Sequence, residues 1–140
     1  MAVYTPAQMS KRLLALVDAL NAALSRGMKK AATAVNRAAI KNLSGSRKAA
    51  PWTYPVPVRT PGGLRANQGM QIESPTVAYI FNTAAYAAAI HSGYVSSWAG
   101  RGKHRMVFHK PRLFIDDAVE SEQPLMVIQR EVEGAISAWA

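Results

Sequence analysis

Residues 5–43 read TPAQMSKRLLALVDALNAALSRGMKKAATAVNRAAIKNL, and the rest of the chain is arranged around this stretch. Thr5 is a good N-cap, Pro6 suits the first helical position, and Gln8 stands at capping-box spacing. No proline follows until the end of the stretch. About 38 residues at 1.5 Å each would span roughly 57 Å, the length of a spine rather than of a packing element. Leu13, Val17, Leu20, Leu24, Met28, Ala31, Val35 and Ala38 recur at steps of three or four, which predicts one apolar side in need of a partner surface. Arg26, Lys29, Lys30, Arg37 and Lys41 fall on the opposite side, a basic stripe that is either solvated or turned toward something anionic. Gly27, mid-helix, weakens or bends it by about 1 kcal/mol relative to alanine. Beyond Gly27 most residues are small (Ala31, Ala32, Ala34, Ala38, Ala39), so that half can pack closely on another backbone, its own or a neighbour's.

Outward from the helix, Ser44-Gly45-Ser46 stops it, and 44–63 is a connector in which Pro51, Pro55, Pro57 and Pro61 favour extended backbone. Trp52 and Tyr54 lie inside it, either anchoring the connector to the core or forming a partner contact. The region 64–110 reads as a small antiparallel sheet with a short helix and a loop. Leu64–Ser74 is a strand with a bulge expected at Gly69, and Thr76–Asn82 is a second, β-branched and aromatic strand. The short Ser74-Pro75 connection makes them antiparallel. Ala84–His91 is a short helix ended by Gly93. Tyr94–Arg105 is a polar, glycine-containing loop, mobile or ordered only against a neighbour. Arg105–Lys110 is a short strand stopped by Pro111. The segment 113–140 is helical: a short turn from Leu113, then a helix from Gln123-Pro124 with Leu125, Ile128, Val132, Ile136 and Trp139 on one face and Gln129, Arg130, Glu131 and Glu133 away from it. The expected architecture is one α+β domain over 1–140, a long N-terminal helix and a C-terminal helix packed on one face of a small antiparallel sheet.

Composition narrows the function. The chain has 140 residues, no cysteine and a formal net charge of +9. Disulfides and thiolate metal sites are therefore excluded, and the lack of cysteine fits synthesis in a reducing cytosol. No apolar run reaches the roughly 18 residues that span a bilayer, and Met1–Tyr4 lacks the basic start of a secretory signal, so no membrane partner is expected. The charge is unevenly spread. Residues 1–65 carry eleven Lys/Arg against Asp18 alone, 101–112 carry five Lys/Arg, and 113–140 carry Arg130 against six acids. A basic surface attracts polyanions without sequence preference. A basic front and an acidic end also favour head-to-tail stacking of copies.

Chemistry is thinly represented. His91, His104 and His109 do not form a metal-binding motif, and the acids Asp116, Asp117, Glu120 and Glu122, which could in principle hold Mg²⁺ for a nuclease, are more simply read as acids favoured by a helix dipole. No nucleophile elbow, Walker loop or Rossmann fingerprint is present, and Gly100-Arg101-Gly102-Lys103 is a weak phosphate cradle. The reading is a non-enzyme with no catalytic residue, metal or cofactor. The candidate residues are contact residues: Lys29, Lys30, Arg37 and Lys41 toward DNA or a neighbouring subunit; Trp52, Tyr54 and Trp98 toward a partner or the chain's own core; Arg101, Lys103 and Arg105 on a loop facing DNA or a partner.

Three stretches carry a resemblance. Val58-Arg59-Thr60-Pro61-Gly62-Gly63-Leu64-Arg65 resembles the Arg-Thr-Gly-x-Leu turn that opens the first strand in the tail-completion (head–tail joining, or neck) proteins of long-tailed bacteriophages. Asn82-Thr83-Ala84-Ala85-Tyr86-Ala87-Ala88-Ala89-Ile90-His91-Ser92-Gly93 is similar to that family's Asn-x-x-x-Tyr-Ala-x-x-x-Glu-x-Gly stretch. Lys110-Pro111-Arg112-Leu113-Phe114-Ile115-Asp116-Asp117-Ala118 resembles its Pro-x-x-Phe-x-x-x-Ala opening of the last helix. The element order also matches. Three departures stand out: Pro61 is inserted in the turn, His91 replaces the usual carboxylate, and the basic stretch 100–105 is this chain's own. The resemblance implies a structural virion protein forming a homo-hexameric or other ring between the head connector and portal side and the tail terminator or tail tube. Genome DNA would pass non-specifically through its lumen. The protein would be made in the host bacterial cytoplasm and end in the virion. The alternatives are a tail terminator and, from another class, a small basic non-specific nucleic-acid-binding protein.

Overall fold

The computed structural model describes residues 2–44, 63–100 and 102–140, with the backbone alone at 98–100, 103, 104 and 107. The proline-rich connector, with Trp52 and Tyr54, lies outside the described residues, as do Arg101 and most of the first stretch of the resemblance.

The expected spine is present as α1, Pro6–Asn42, 37 residues or about 55 Å long. Its start is built as a capping box. The Thr5 hydroxyl accepts from the Gln8 N–H at 3.3 Å and the Gln8 side chain accepts from the Thr5 N–H at 2.9 Å, so two donors at the helix start are satisfied reciprocally. At the other end the Leu43 N–H reaches the Ala39 and Ile40 carbonyls, and the Leu43 side chain is buried.

Three helices follow α1. The short α2, Ala87–Ser92, belongs to the sheet region; the pair that covers α1 is α3, Phe114–Glu122, and α4, Pro124–Trp139. Phe114 packs on Leu43, and Ala118 sits in a cluster with Val35 and Ala39. The Asn42 side-chain amide donates to the Phe114 carbonyl at 3.1 Å, which ties the start of α3 to the end of α1. Gln123, in the left-handed region at φ 45°, makes the elbow, and Pro124 opens α4. Ile128 then lies against Gly27, and the Arg12 guanidinium stands 5.4 Å from the Trp139 ring, so α4 runs antiparallel to α1.

Gly27 has a more specific role than the bend expected of it. A Cβ there would stand 3.0 Å from the Ile128 Cα, so the missing side chain lets the two helix backbones approach. The small-residue half of α1 does pack closely on a backbone, and that backbone is its own chain's. The expected face of α4 needs correction. Ile128, Val132 and Trp139 are half-buried, but Leu125 is 80% exposed and Ile136 is also exposed, whereas Glu131, expected to point away, lies against α1. The contact is centred on the Gly27–Ile128 approach, which carries Glu131 inward and leaves Leu125 beyond the edge of α1.

The strands form two separate two-stranded antiparallel sheets rather than one. β1, Gln68–Ser74, pairs with β2, Val77–Asn82. The expected start at Leu64 moves to Gln68 because 63–67 closes as a turn, with the Asn67 N–H and side-chain amide both donating to the Gly63 carbonyl. The bulge is not at Gly69. That residue pairs in register with Phe81 and lies under its ring, and the irregularity falls between Ile72 and Ser74, beside the turn. Ile80 packs on the Val35–Ala39–Ala118 cluster, which places this hairpin over the C-terminal half of α1. Asn82 pins its open end, donating to the Leu64 carbonyl at 2.6 Å and the Gln68 side chain at 3.1 Å and accepting from the Ala84 N–H at 3.1 Å.

The stretch expected as a loop, Tyr94–Arg105, is instead one strand, a turn and the start of another. β3, Tyr94–Gly100, pairs in unbroken register with β4, Lys103–His109. Tyr94 stacks on His109 across the pair, with ring centroids 4.2 Å apart, and Ser96 bonds the His109 ring at 2.9 Å, so cross-strand side chains hold a segment whose serines and glycines hid its alternation. Gly102, at φ 72°, turns the hairpin. Its base is set at Gly93, φ 80°, where any Cβ would meet the His109 carbonyl at 2.8 Å and the Pro111 ring at 3.0 Å.

The fold is α+β, as the sequence predicts. Among the described residues the buried apolar side chains are Ala23, Ala31, Ala32, Val35, Ala39, Leu43, Ala87, Phe114 and Ala118, mostly alanines. Among the same residues no helix is long and apolar enough to cross a membrane.

Candidate interaction surface

The basic residues of α1 form a row beside α4. Arg26, Lys29, Lys30 and Arg37, with Thr33 and Ala34 between them, line a shallow depression open to solvent. Their spacing of three, four and seven residues puts them on adjoining turns of one helix side. The row is not uniformly free. Glu131, on α4, forms an ion pair with Lys30 and a second with Arg26 at 3.5 Å. The hydrogen bond from Lys30, with Arg26 beside it, holds the Glu131 carboxyl below the ordinary carboxylate range. Lys29, Arg37 and Lys41 are exposed and have no ion-pair partner among the described residues. Of the four helix cations expected to face DNA or a neighbour, Lys30 is therefore engaged within the chain and the other three are available.

The second set lies on the hairpin. Arg105 stands directly across from Trp98, and Lys103 across from Gly100, so these positions share a regular strand pair rather than a loop. Arg105 is exposed. Thus Lys29, Lys30 and Arg37 come together at the depression, Lys41 extends the row by a turn, and Lys103 and Arg105 belong to a separate element.

The sequence reading missed how much apolar surface stays open. Met106 and Phe108 are 77% and 78% exposed, and Leu125 is 80% exposed. Leu13, Leu14 and Val17 on α1 are also exposed. The 106/108 alternation was visible, but alternation does not say whether the apolar side of a strand finds a partner in its own chain. β3 and β4 pack chiefly against each other, and a lone two-stranded hairpin is marginal in water.

His91, where the resembled stretch has a carboxylate, stands with Nε2 3.6 Å from Asp116 Oδ2 and its ring edge-on to Phe114. The carboxylate of this pair comes from the other side, and the pair is ionic only while His91 is protonated. Asp116 and Asp117 occupy the first turn of α3, where the helix dipole favours acids. Among the described residues no group of three or more His, Asp or Glu is placed to hold a metal ion.

Comparison of the chain with protein-family models, with curated proteins and with solved structures finds no match.

Proposed function

We propose that this chain is a structural virion protein of a long-tailed bacteriophage, assembled as a closed ring at the head–tail interface in the neck or tail-completion position, with no catalytic role. On this reading its partners are further copies of itself, the head connector on the portal side and the tail terminator or tube on the other. Genome DNA passes through the lumen, and the protein resides in the virion after synthesis in the bacterial cytoplasm.

The observation that carries the reading is the imbalance between core and surface. The buried interior is mostly alanine, while large apolar side chains stand open on α1, on the β3–β4 hairpin and at the α3–α4 elbow. A monomer seldom exposes so much large apolar surface, and a subunit of an assembly does so by necessity. The resemblance gains support from where its residues fall. Asn82 pins the β1–β2 hairpin, Ala87, Phe114 and Ala118 are buried, and Gly93 abuts Pro111. These positions help to define the fold of this chain. The exposed Lys29, Arg37 and Lys41 suit a lumen or a neighbour, because a non-specific basic surface lets DNA slide.

Electron microscopy of the particle that carries the chain tests this. Copies arranged around the DNA axis between head and tail are expected; a particle population without the chain overturns the reading, and a position capping the tube moves it to tail terminator. Because Lys30 is engaged with Glu131, the variant that probes the basic row is Lys29→Glu with Arg37→Glu. It should fold normally and fail to yield joined particles. The depression between Arg26 and Arg37 favours one second reading, a free nucleic-acid-binding protein. That reading requires DNA affinity falling steeply with salt, by about 0.9 log units per log unit of salt for each phosphate contacted.

A further inference from the structure

The basic row on α1 differs in make-up from a protein-docking surface. Arg26, Lys29, Lys30 and Arg37 line the shallow depression, and between them stand only Thr33 and Ala34, with no large apolar side chain. Lys41, exposed, continues the row by a turn. From Arg26 to Lys41 it covers about 22 Å of helix. A protein–protein contact is anchored by apolar or aromatic side chains at its centre, with charge at the rim. A phosphate backbone asks only for cations on an open surface. With one phosphate for about every 3.4 Å of axis on each strand, roughly six stand within that length.

One carboxylate is set into this row. Glu131 bonds Lys30 and, at 3.5 Å, Arg26. The helix crossing fixes its place: its Cβ lies 3.5 Å from where a Cβ on Gly27 would stand, and Gly27 falls between the two cations in sequence. The Glu131 side chain is 20% exposed, whereas those of Arg26 and Lys30 are 56% and 61% exposed and stay open to a ligand. The close approach of α4 therefore puts a negative charge beside cations that solvent still reaches. Glu133, on the same helix, accepts from the Gln129 amide at 2.7 Å and makes no ion pair with the row.

We propose that the row from Arg26 to Lys41 is a site for the phosphate backbone of DNA and that Glu131 is its built-in counter-anion, holding Arg26 and Lys30 partly neutralised and the affinity low. The inference rests on the reading above, in which the row faces DNA, and adds the residue that sets how tightly the row holds it. A phosphate arriving at Arg26 or Lys30 meets the Glu131 carboxylate as well, and the like charges oppose each other. Lys29, Arg37 and Lys41 carry no such partner among the described residues and take a phosphate at full charge. Three free cations grip a duplex less than five would, which suits a surface along which DNA must move.

Glu131→Gln tests this in the full chain, with binding of a short random-sequence DNA duplex followed from about 50 to 200 mM salt. The variant should bind several-fold more tightly at the low-salt end. Its log–log salt slope should steepen by about 0.9 to 1.8, one step of about 0.9 for each of Arg26 and Lys30 that gains a phosphate. Glu133→Gln removes the same charge from the same helix without touching the row, and should leave the slope as it is. A carboxylate with a merely structural role would, on removal, leave affinity equal or lower and could not raise it. Equal slopes in wild type and Glu131→Gln, or the same gain from Glu133→Gln, overturn the counter-anion. A wild-type chain that does not bind the duplex even at low salt overturns the whole site, and a block to particle joining by Lys29→Glu with Arg37→Glu would then give the row to an acidic protein neighbour. Because the slopes are read on the free chain, they do not depend on assembly, and the position of the chain in the particle decides the ring reading separately.

Discussion

Between Ala23 and its cap Leu43, α1 buries Ala23, Gly27, Ala31, Ala32, Val35, Ala39 and the cap itself; between Pro6 and Ala22 it buries no residue fully, Leu16 and Leu20 being half-buried, though Leu13, Leu14 and Val17 are larger than most of the residues buried farther on. The two halves share one helical period, and Leu13 and Val17 continue the line of Met28 and Val35. What differs is cover. The second half lies under α3, the start of α4 and the β1–β2 hairpin, whereas the first half has only the far part of α4 beside it. Side-chain size and burial are thus inverted along one helix. Small residues are found where backbones must come close, and the large Leu13, Leu14 and Val17 where the chain's own cover is thin.

The largest break in this comparison is at Phe114. It is 1% exposed and plugs the end of α1 against Leu43, Leu64 and Ile90. Phe114→Ala should cost about 3–5 kcal/mol in denaturant unfolding, the range for a fully buried aromatic. Leu14→Ala, 67% exposed in the other half, should shift the midpoint little. Equal losses at the two sites would mean that the N-terminal half is covered in the isolated chain.

Two glycines sharpen the comparison at a smaller scale. Gly27→Leu must push α4 away, since even a Cβ meets the Ile128 backbone, and overpacking of this kind costs about 1–3 kcal/mol. Gly134, also helical, has nothing within 4 Å of where a Cβ would be, so Gly134→Ala should stabilise by about 0.5–1 kcal/mol through helix propensity alone. Opposite signs from the two substitutions, read as changes in melting temperature, are the expected result.

The ion pairs of Glu131 join the two helices at the border between the halves. The hydrogen bond from Lys30, then the charges of Lys30 and Arg26, depress its carboxyl in the folded protein. The contribution is therefore fully present above the unfolded carboxylate value, about 4.3, and is lost as pH falls through the lower folded value. Glu131→Gln should lower the melting temperature slightly at neutral pH, and the gap to wild type should close only as pH falls through the lowered folded value and narrow in high salt, because the pair is at the surface.

These contrasts also explain what was legible in advance. Thr5, Pro6 and Gln8 announce the start of α1 through local chemistry, and β1–β2 follows from the β-branched, aromatic run to Asn82 and a short turn. β3 was not legible because Ser96, Ser97 and Gly100 dilute its pattern, and its stability comes from cross-strand partners such as His109 that lie more than ten residues away. Glu131 was placed on the wrong face of α4 because helical periodicity fixes which residues lie together but not which side a partner helix takes. For the same reason the split of the strands into two hairpins was hidden: each strand can be read from its own residues, but sheet membership depends on long-range pairing. Of the candidate contact residues, the α1 row could be grouped from spacing alone, while the engagement of Lys30 within the chain could not.

The smallest expected effect on stability is at Leu13 and Val17, and it is also the one that bears most on function. Both are about half exposed, so Leu13→Ser with Val17→Ser removes little burial and should leave the unfolding free energy of the isolated chain within about 0.5 kcal/mol. If the N-terminal half of α1 is bare because a neighbouring subunit covers it, the same pair of substitutions should reduce incorporation into particles severalfold. A variant as stable as wild type that assembles normally would show that this line of leucine and valine is ordinary solvated surface, and that the contrast between the halves of α1 reflects the limit of the chain's own cover and nothing beyond it. A variant that folds but fails to assemble would make the bare half an interface, since no loss of core could account for the defect.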